Sequence, residues 1–151
     1  AKLPPKSNSN SPAPACVAPA TAKASLNIAI ALPNGTEIIA HQASVEDDSS
    51  SSINQRAKIT MLQTSSPTCS TASGVRPGMT LQAAAGKLGR VKQIMQSEIE
   101  AREFATFERQ PAWLTIQVED AGRYRPADDS PPRSTSRYRP NSKILSLWIG
   151  Q

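Results

Sequence analysis

Short runs in which apolar and polar residues alternate are the feature that most constrains the fold. The run LNIAIAL places Ile28, Ile30 and Leu32 on one side of an extended chain, and WLTIQVED (residues 113–120) repeats the pattern. Alternation with period two indicates β-strands that bury one face. Asn34-Gly35, which follows the first run, is the pair most typical of a tight hairpin. These patterns predict an antiparallel sheet.

Three further segments also read as strands: EIIAHQASV (37–45), AKITMLQT (57–64) and KILSLWIG (143–150). The last is apolar enough to be central or well covered. Residues 91–109 are ambiguous, because their propensities are helical while REFATFER (102–109) also fits a strand.

Residues 80–88 carry the clearest helical pattern. The apolar residues recur at helical spacing on one face: Leu81, Ala84, Ala85 and Leu88. Thr80 suits the N-cap and Gly89 suits the C-terminal cap. Gly86 inside the helix costs about 1 kcal/mol relative to alanine, and close approach to a sheet would explain it. The predicted class is therefore α+β, with a short helix packed on an antiparallel sheet.

The first 24 residues have a different composition from the rest. Proline, serine, alanine and asparagine dominate AKLPPKSNSNSPAPACVAPATAKA, with no apolar period. We expect residues 1–24 to form an extended or disordered arm and residues 25–151 to form a single domain. Hydrophobic residues make up 38% of the chain, below the roughly 45–50% of ordinary domains, so part of the chain lies outside the core.

The positive charge is concentrated near the end of the chain. Residues 1–73 carry five basic and four acidic groups, and residues 74–151 carry twelve and eight, which together give +5. Residues 121–143 contain six basic residues and only two acidic ones, Asp128 and Asp129. The basic residues are Arg123, Arg125, Arg133, Arg137, Arg139 and Lys143. Charge is nearly balanced elsewhere, which argues against a protein covered in basic groups for nucleic acid.

The two cysteines, Cys16 and Cys69, are too few and too far apart for a zinc site. A disulfide between them would tie the arm to the domain, although two unpaired thiols fit the sequence equally well. The chain starts without methionine, as a mature exported protein would, and export would favour the disulfide. No run of about 20 apolar residues occurs, so no transmembrane segment is expected.

Residues 74–151 resemble the small domain of the SmpA/OmlA outer-membrane-assembly lipoproteins and of the β-lactamase-inhibitor proteins. The likeness is carried by Gly78-Met79-Thr80, the helix after it, and Leu88-Gly89. In those families a GMT turn begins a helix that ends in LG, and an antiparallel sheet packs on it. Arg90 and Val91 stand where a proline is common. The resemblance implies strands at 91–97 and 103–109, and a role in binding other proteins without catalysis.

No pattern indicates catalysis, a metal or a cofactor. His41 is the only histidine and lacks the nucleophile motif of a triad. Asp47-Asp48 lacks the spacing of a calcium loop. Four acidic residues could include a paired-carboxylate site: Glu98, Glu100, Glu103 and Glu108. Nearby basic residues make a salt-bridged surface the better interpretation. We therefore predict no catalytic residue, no metal and no cofactor. A small hydrolase is a distant third possibility, after the two binding functions given below.

The tetrapeptide RYRP occurs twice in the basic segment, at 123–126 and at 137–140. Arginine and tyrosine are enriched at interface hot spots, and the residue before each proline favours extended geometry. The candidate partner-binding residues are Arg123, Tyr124, Arg125, Arg137, Tyr138 and Arg139. A solvated loop with chance repetition remains the plain alternative.

The sequence favours a non-enzymatic, exported accessory subunit, in the periplasm, a lumen or outside the cell. It would bind a larger protein assembly through its arm and its Arg/Tyr loop. One such assembly is a membrane complex to which this protein would be peripheral. The alternative is an anion-binding module for nucleic acid or acidic polysaccharide, which Asp128 and Asp129 disfavour because they repel phosphate.

Overall fold

The structure is a computed structural model that describes residues 27–42, 58–98, 101–127 and 130–150. Within these ranges the chain forms eight strands and one helix. In chain order they are β1 (Asn27–Ala31), β2 (Glu37–Gln42), β3 (Ile59–Thr64), α1 (Leu81–Leu88), β4 (Val91–Gln96), β5 (Glu103–Phe107), β6 (Leu114–Val118), β7 (Arg133–Thr135) and β8 (Ile144–Gly150).

The strands form one antiparallel sheet in the order β1-β2-β3-β8-β6-β5-β4-β7. The predicted hairpin at Asn34-Gly35 joins β1 to β2. Gly35 has φ 79°, and the Asn34 Oδ1 accepts a hydrogen bond from the Thr36 amide at 3.1 Å. The strand predicted at the end of the chain is β8, which is central, between β3 and β6.

The predicted α+β class is wrong, because the described chain is largely β, with a single short helix. The ambiguous residues 91–109 supply β4 and β5. Burial decides against their helical propensity: Ile94, Ala105 and Phe107 are each at most 2% exposed. Sheet pairing brings these residues into one core, and such tertiary packing outweighs weak local preferences.

The main core lies between α1 and the sheet. The helix contributes Leu81, Ala84 and Leu88, which pack with buried residues from β4, β5, β6 and β8. The predicted N-cap is confirmed, since the Thr80 Oγ1 accepts a hydrogen bond from the Ala83 amide at 3.2 Å. Gly89 ends the helix with φ 79°. A smaller apolar cluster covers β1, β2 and β3.

Gly86 is not explained by close packing against the sheet. It is exposed, and a Cβ atom built there would meet nothing within 4 Å. The expectation of a close helix–sheet approach at Gly86 is therefore wrong.

Some predicted features lie outside the described residues. They include the arm (1–24), with Cys16, and the Asp47-Asp48 loop. Cys69, in the segment between β3 and α1, is 3% exposed. The Cys16–Cys69 bond therefore stays a prediction. Among the described residues, no helix is long and apolar enough to cross a membrane.

Replacing Gly86 with alanine should raise the free energy of unfolding by about 1 kcal/mol, because alanine restricts the unfolded chain and meets no obstacle in the helix. Urea denaturation would measure the change. Gly89→Ala is the matched control and should destabilise the fold. Its φ is positive, and the new Cβ would lie 3.1 Å from the Glu108 Cβ. A destabilising Gly86→Ala would contradict the expectation.

Candidate functional site

The basic segment 119–143 joins two neighbouring antiparallel strands, β6 and β8. It is therefore a long hairpin loop. The loop does not project freely: it forms β7, which pairs with the outer edge of β4 over residues 94–96. Residues 119–127 thus run past the ends of β5 and β4, and residues 136–143 return to β8.

A buried carboxylate holds the start of this loop. Glu103, the first residue of β5, is 8% exposed. Its Oε2 accepts a hydrogen bond from the Ala121 amide and its Oε1 accepts one from the Gly122 amide at 3.2 Å. Hydrogen bonds from backbone amides to a carboxylate are strong, because the acceptor is charged. Glu103 therefore fixes where the loop leaves the sheet.

The two RYRP segments lie side by side. The Arg123 amide donates to the Arg137 carbonyl at 2.9 Å, and the Arg139 amide donates to the Ala121 carbonyl at 2.9 Å. Gly122 and Tyr138 form an antiparallel bridge between them. The repeat is therefore part of an extended, paired backbone.

The return segment is also tied to the helix. The Gln82 amide at the start of α1 donates to the Pro140 carbonyl at 3.0 Å, and the Leu81 amide donates to the Ser142 carbonyl at 2.9 Å. These bonds occupy amides that have no partner inside the helix. Both ends of the loop are thus fixed to the body of the domain.

The tyrosines and the arginines of the repeat differ in burial. Tyr124 and Tyr138 are half-buried and pack against the main core, whereas Arg123, Arg125 and Arg137 are exposed. In an extended chain successive side chains point to opposite sides, so an R-Y-R sequence buries its ring and presents its charges. The tyrosines anchor the loop, which the sequence alone did not reveal.

Gly122 makes room for the first of these rings. A Cβ atom at position 122 would lie 2.4 Å from the Tyr124 Cζ, which is a severe steric clash. The Arg133 guanidinium lies 4.1 Å from the centroid of the same ring, within the range of a cation–π interaction. The Arg133 Nε also donates to the Gln96 Oε1 at 2.6 Å. Tyr124 is thereby held from several sides.

The Tyr124 hydroxyl is buried and has no hydrogen-bond partner of good geometry among the described residues. Burial raises its pKa above the ordinary value of 10.0, and the neighbouring Glu103 carboxylate raises it further, whereas Arg133 acts in the opposite direction. The neutral phenol is therefore the form that suits this position.

Arg139 is engaged within the loop. Its Nη1 donates to the Asp120 carboxylate and carbonyl, each at 2.9 Å, and to the Gly122 carbonyl at 3.1 Å. Arg123, Arg125 and Arg137 differ, since their side chains make no hydrogen bond or ion pair with any residue that the structure describes. These three arginines form the outward-facing part of the predicted site.

An open groove of about 950 Å³ runs beside the loop. We name it the arginine groove after the five arginines that line it: Arg102, Arg123, Arg125, Arg133 and Arg139. Three acidic residues also line it, but two are engaged: Glu103 by backbone amides and Asp120 by Arg139. The remaining Glu119 leaves the groove with a surplus of positive charge.

The sheet face opposite α1 carries a row of aromatic rings. Trp148 lies between the core-side residues Leu147 and Ile149 of β8, so it points away from the helix. Its ring stacks on His41, with 6.2 Å between centroids, and meets the Phe104 ring edge-on at 6.0 Å. We name His41, Phe104 and Trp148 the aromatic face.

Glu103 and Glu108, two of the carboxylates proposed for a paired site, do not meet. Glu103 and Glu108 are five residues apart along an extended segment, which separates them by about 16 Å. Glu108 pairs with Arg90 at 2.8 Å on the surface, and hydrogen bonds from Arg90 lower the pKa of Glu108. The predicted salt-bridged surface is thus present at Glu108, but the buried Glu103 was misread as part of it.

Comparisons with protein-family models, curated proteins and solved structures found no match to this chain.

Tyr124→Phe should change how stability depends on pH. The pKa of Tyr124 is raised in the folded state, so its contribution is complete below about pH 10 and is lost as the pH rises further. The variant lacks this loss, and at neutral pH it should differ by less than about 1 kcal/mol, because no hydrogen bond is removed.

Urea unfolding of both proteins from about pH 8 to about pH 11 would measure the effect. The free-energy difference should shift in favour of the variant only at the alkaline end. A constant difference across the whole range would contradict the proposed state of the phenol.

Proposed function

We propose that this protein is a non-enzymatic, exported accessory subunit that binds a larger protein assembly through its basic loop, with the N-terminal arm as a second contact. The observation that carries the proposal is that the tyrosines and arginines of the RYRP repeat point in opposite directions. Tyrosines fix the loop to the core, and Arg123, Arg125 and Arg137 are presented outward from a paired backbone.

Fixed arginines suit protein docking. A long side chain on a rigid backbone loses less entropy on binding than one on a loose loop. The planar guanidinium can also pair with a carboxylate through two parallel hydrogen bonds. The positions of these arginines therefore favour a partner with acidic groups at defined places.

The runner-up function, binding of a nucleic acid or an acidic polysaccharide, has less support. Glu119 and Asp120 line the arginine groove, and Asp128 and Asp129 belong to the same loop. Carboxylates beside the arginines repel a ligand with evenly spaced negative charge, whereas a protein surface can place its own groups to avoid them.

Export is the second part of the proposal. Residues 74–151 resemble the outer-membrane-assembly and inhibitor families. That resemblance implies a protein that binds other proteins without catalysis. An oxidising compartment would also allow the Cys16–Cys69 disulfide, which would hold the arm beside β3.

A mass measurement would test the disulfide. Native protein from its source, unfolded and treated with iodoacetamide without reductant, should take up no label, and after reduction it should take up two. Labelling of both thiols before reduction would contradict the bond and weaken the case for export. Peptide mapping would separate an intramolecular bond from one between chains.

Charge reversal would test the docking proposal. Arg123→Glu, Arg125→Glu and Arg137→Glu together should reduce retention of the native partner at least tenfold in a pull-down from the source. The matched control carries the same charge change at exposed basic residues elsewhere: Lys58→Glu, Arg76→Glu and Lys92→Glu. It should retain the partner.

The salt response separates the two candidate functions. A protein partner held partly by apolar contact should survive a high-salt wash. Binding of nucleic acid should fall with salt by a slope near one per phosphate contact. If both charge-reversed proteins lose the ligand equally, net charge rather than this loop governs binding, and the docking proposal fails.

A further inference from the structure

The arginine groove and the aromatic face are continuous. The Arg102 guanidinium lines the groove and lies 5.7 Å from the centroid of the Trp148 ring. Gln117 also lines the groove, and its Oε1 accepts a hydrogen bond from Ser146 at 2.8 Å. Ser146 in turn accepts one from the Trp148 Nε1 at 2.6 Å. Two side chains of the groove are thus joined to Trp148: Arg102 directly and Gln117 through Ser146.

Two kinds of surface therefore meet along one path. One end presents arginines around an open groove, and the other presents Phe104 and Trp148, followed at the outer strands by Met95, which is 45% exposed. Arginine and tryptophan are the residues most typical of interface hot spots. The neighbouring contacts hold the Trp148 ring in place, which lowers the entropy that a partner must overcome.

We infer that the arginine groove and the aromatic face form one site for an extended acidic segment of a partner protein. Its carboxylates would pair with Arg123 and Arg125 in the groove, and an adjacent aromatic or aliphatic side chain would lie on Trp148 and Phe104. This deepens the proposed function by naming the chemistry of the partner, and it rests on that function.

Charge complementarity selects this occupant. The described lining of the groove has five arginines against three acidic residues. Asp120 pairs with Arg139 and Glu103 accepts backbone amides, so positive charge remains in excess. The chain's own arm is a poor match, because residues 1–24 contain three lysines and no acidic residue. A volume of about 950 Å³ also exceeds what a single side chain fills and lies near the upper end of ordinary ligand sites. Recognition of acidic motifs by arginine clusters is a recurrent mode of peptide binding.

Fluorescence anisotropy with a labelled synthetic peptide would test the site. The probe is a peptide of about ten residues that has glutamates on both sides of one phenylalanine. Two matched peptides replace either the glutamates with lysine or the phenylalanine with alanine. The acidic peptide should bind saturably, the alanine version at least fivefold more weakly, and the lysine version not at all.

Protein variants would locate the binding. Arg123→Glu with Arg125→Glu should weaken the acidic peptide at least tenfold, whereas Lys58→Glu with Arg76→Glu should weaken it less than threefold. Thr115→Glu places a negative charge at an exposed position opposite Trp148 and should weaken it at least threefold. Each of the five altered residues is exposed, so the variants should stay folded.

Trp148 itself can report on the aromatic face. In a Trp113→Phe protein, Trp148 is the remaining tryptophan. Its emission should change with the phenylalanine peptide and not with the alanine version. Equal binding of the two acidic peptides without any change in emission would overturn the joint site and leave a simple charge effect.

Other outcomes also overturn the inference. They are failure of the acidic peptide to bind, tighter binding of single-stranded oligothymidylate with a steep salt slope, and a stable dimer that covers the face in light-scattering measurements. If the peptide fails while the native partner still depends on the three exposed arginines, the proposed function stands and only this description of the partner segment falls.

Discussion

The position of the basic loop depends on one buried carboxylate. Glu103 begins β5, close to the end of β6, and accepts the amides of Ala121 and Gly122. A buried carboxylate without such donors would be strongly destabilising, so the loop and Glu103 require each other. Once the chain is fixed at Gly122, the Tyr124 ring can pack over that glycine and the outward arginines follow from strand alternation.

Much of the sheet could be predicted from the sequence. Period-two patterns located β1, β2, β3, β6 and β8, and the caps located α1. Those signals are local: a turn that needs positive φ at Gly35, or a threonine hydroxyl that bonds a helix amide. The class was nevertheless wrong, because the eight strands and one eight-residue helix of the described chain make a largely β fold. Local propensities left β4 and β5 ambiguous, since they are strands through pairing with distant partners, although the resemblance implied strands at 91–97 and 103–109.

The candidate site was harder to predict for the same reason. The prediction rested on the RYRP repeat, but the sequence could not show that Tyr124 and Tyr138 face the core. The burial of Tyr124 depends on Glu103, Gly122 and Arg133, which come from separate parts of the chain. The aromatic face combines β2, β5 and β8 and likewise has no local signature. Alternation could have indicated the buried face, and the R-Y-R pattern could have been read as a short strand.

The placement of β7 has a consequence for solubility. An edge strand with unpaired amides and carbonyls is a template for pairing with other chains, and proteins usually shield such edges. Here the basic loop supplies the shield, because β7 pairs with the outer edge of β4 at Ile94, Met95 and Gln96. The segment that carries the charges therefore also closes one side of the sheet against aggregation. A shorter loop would leave the β4 edge uncovered, which limits how far this hairpin can shrink without promoting self-association.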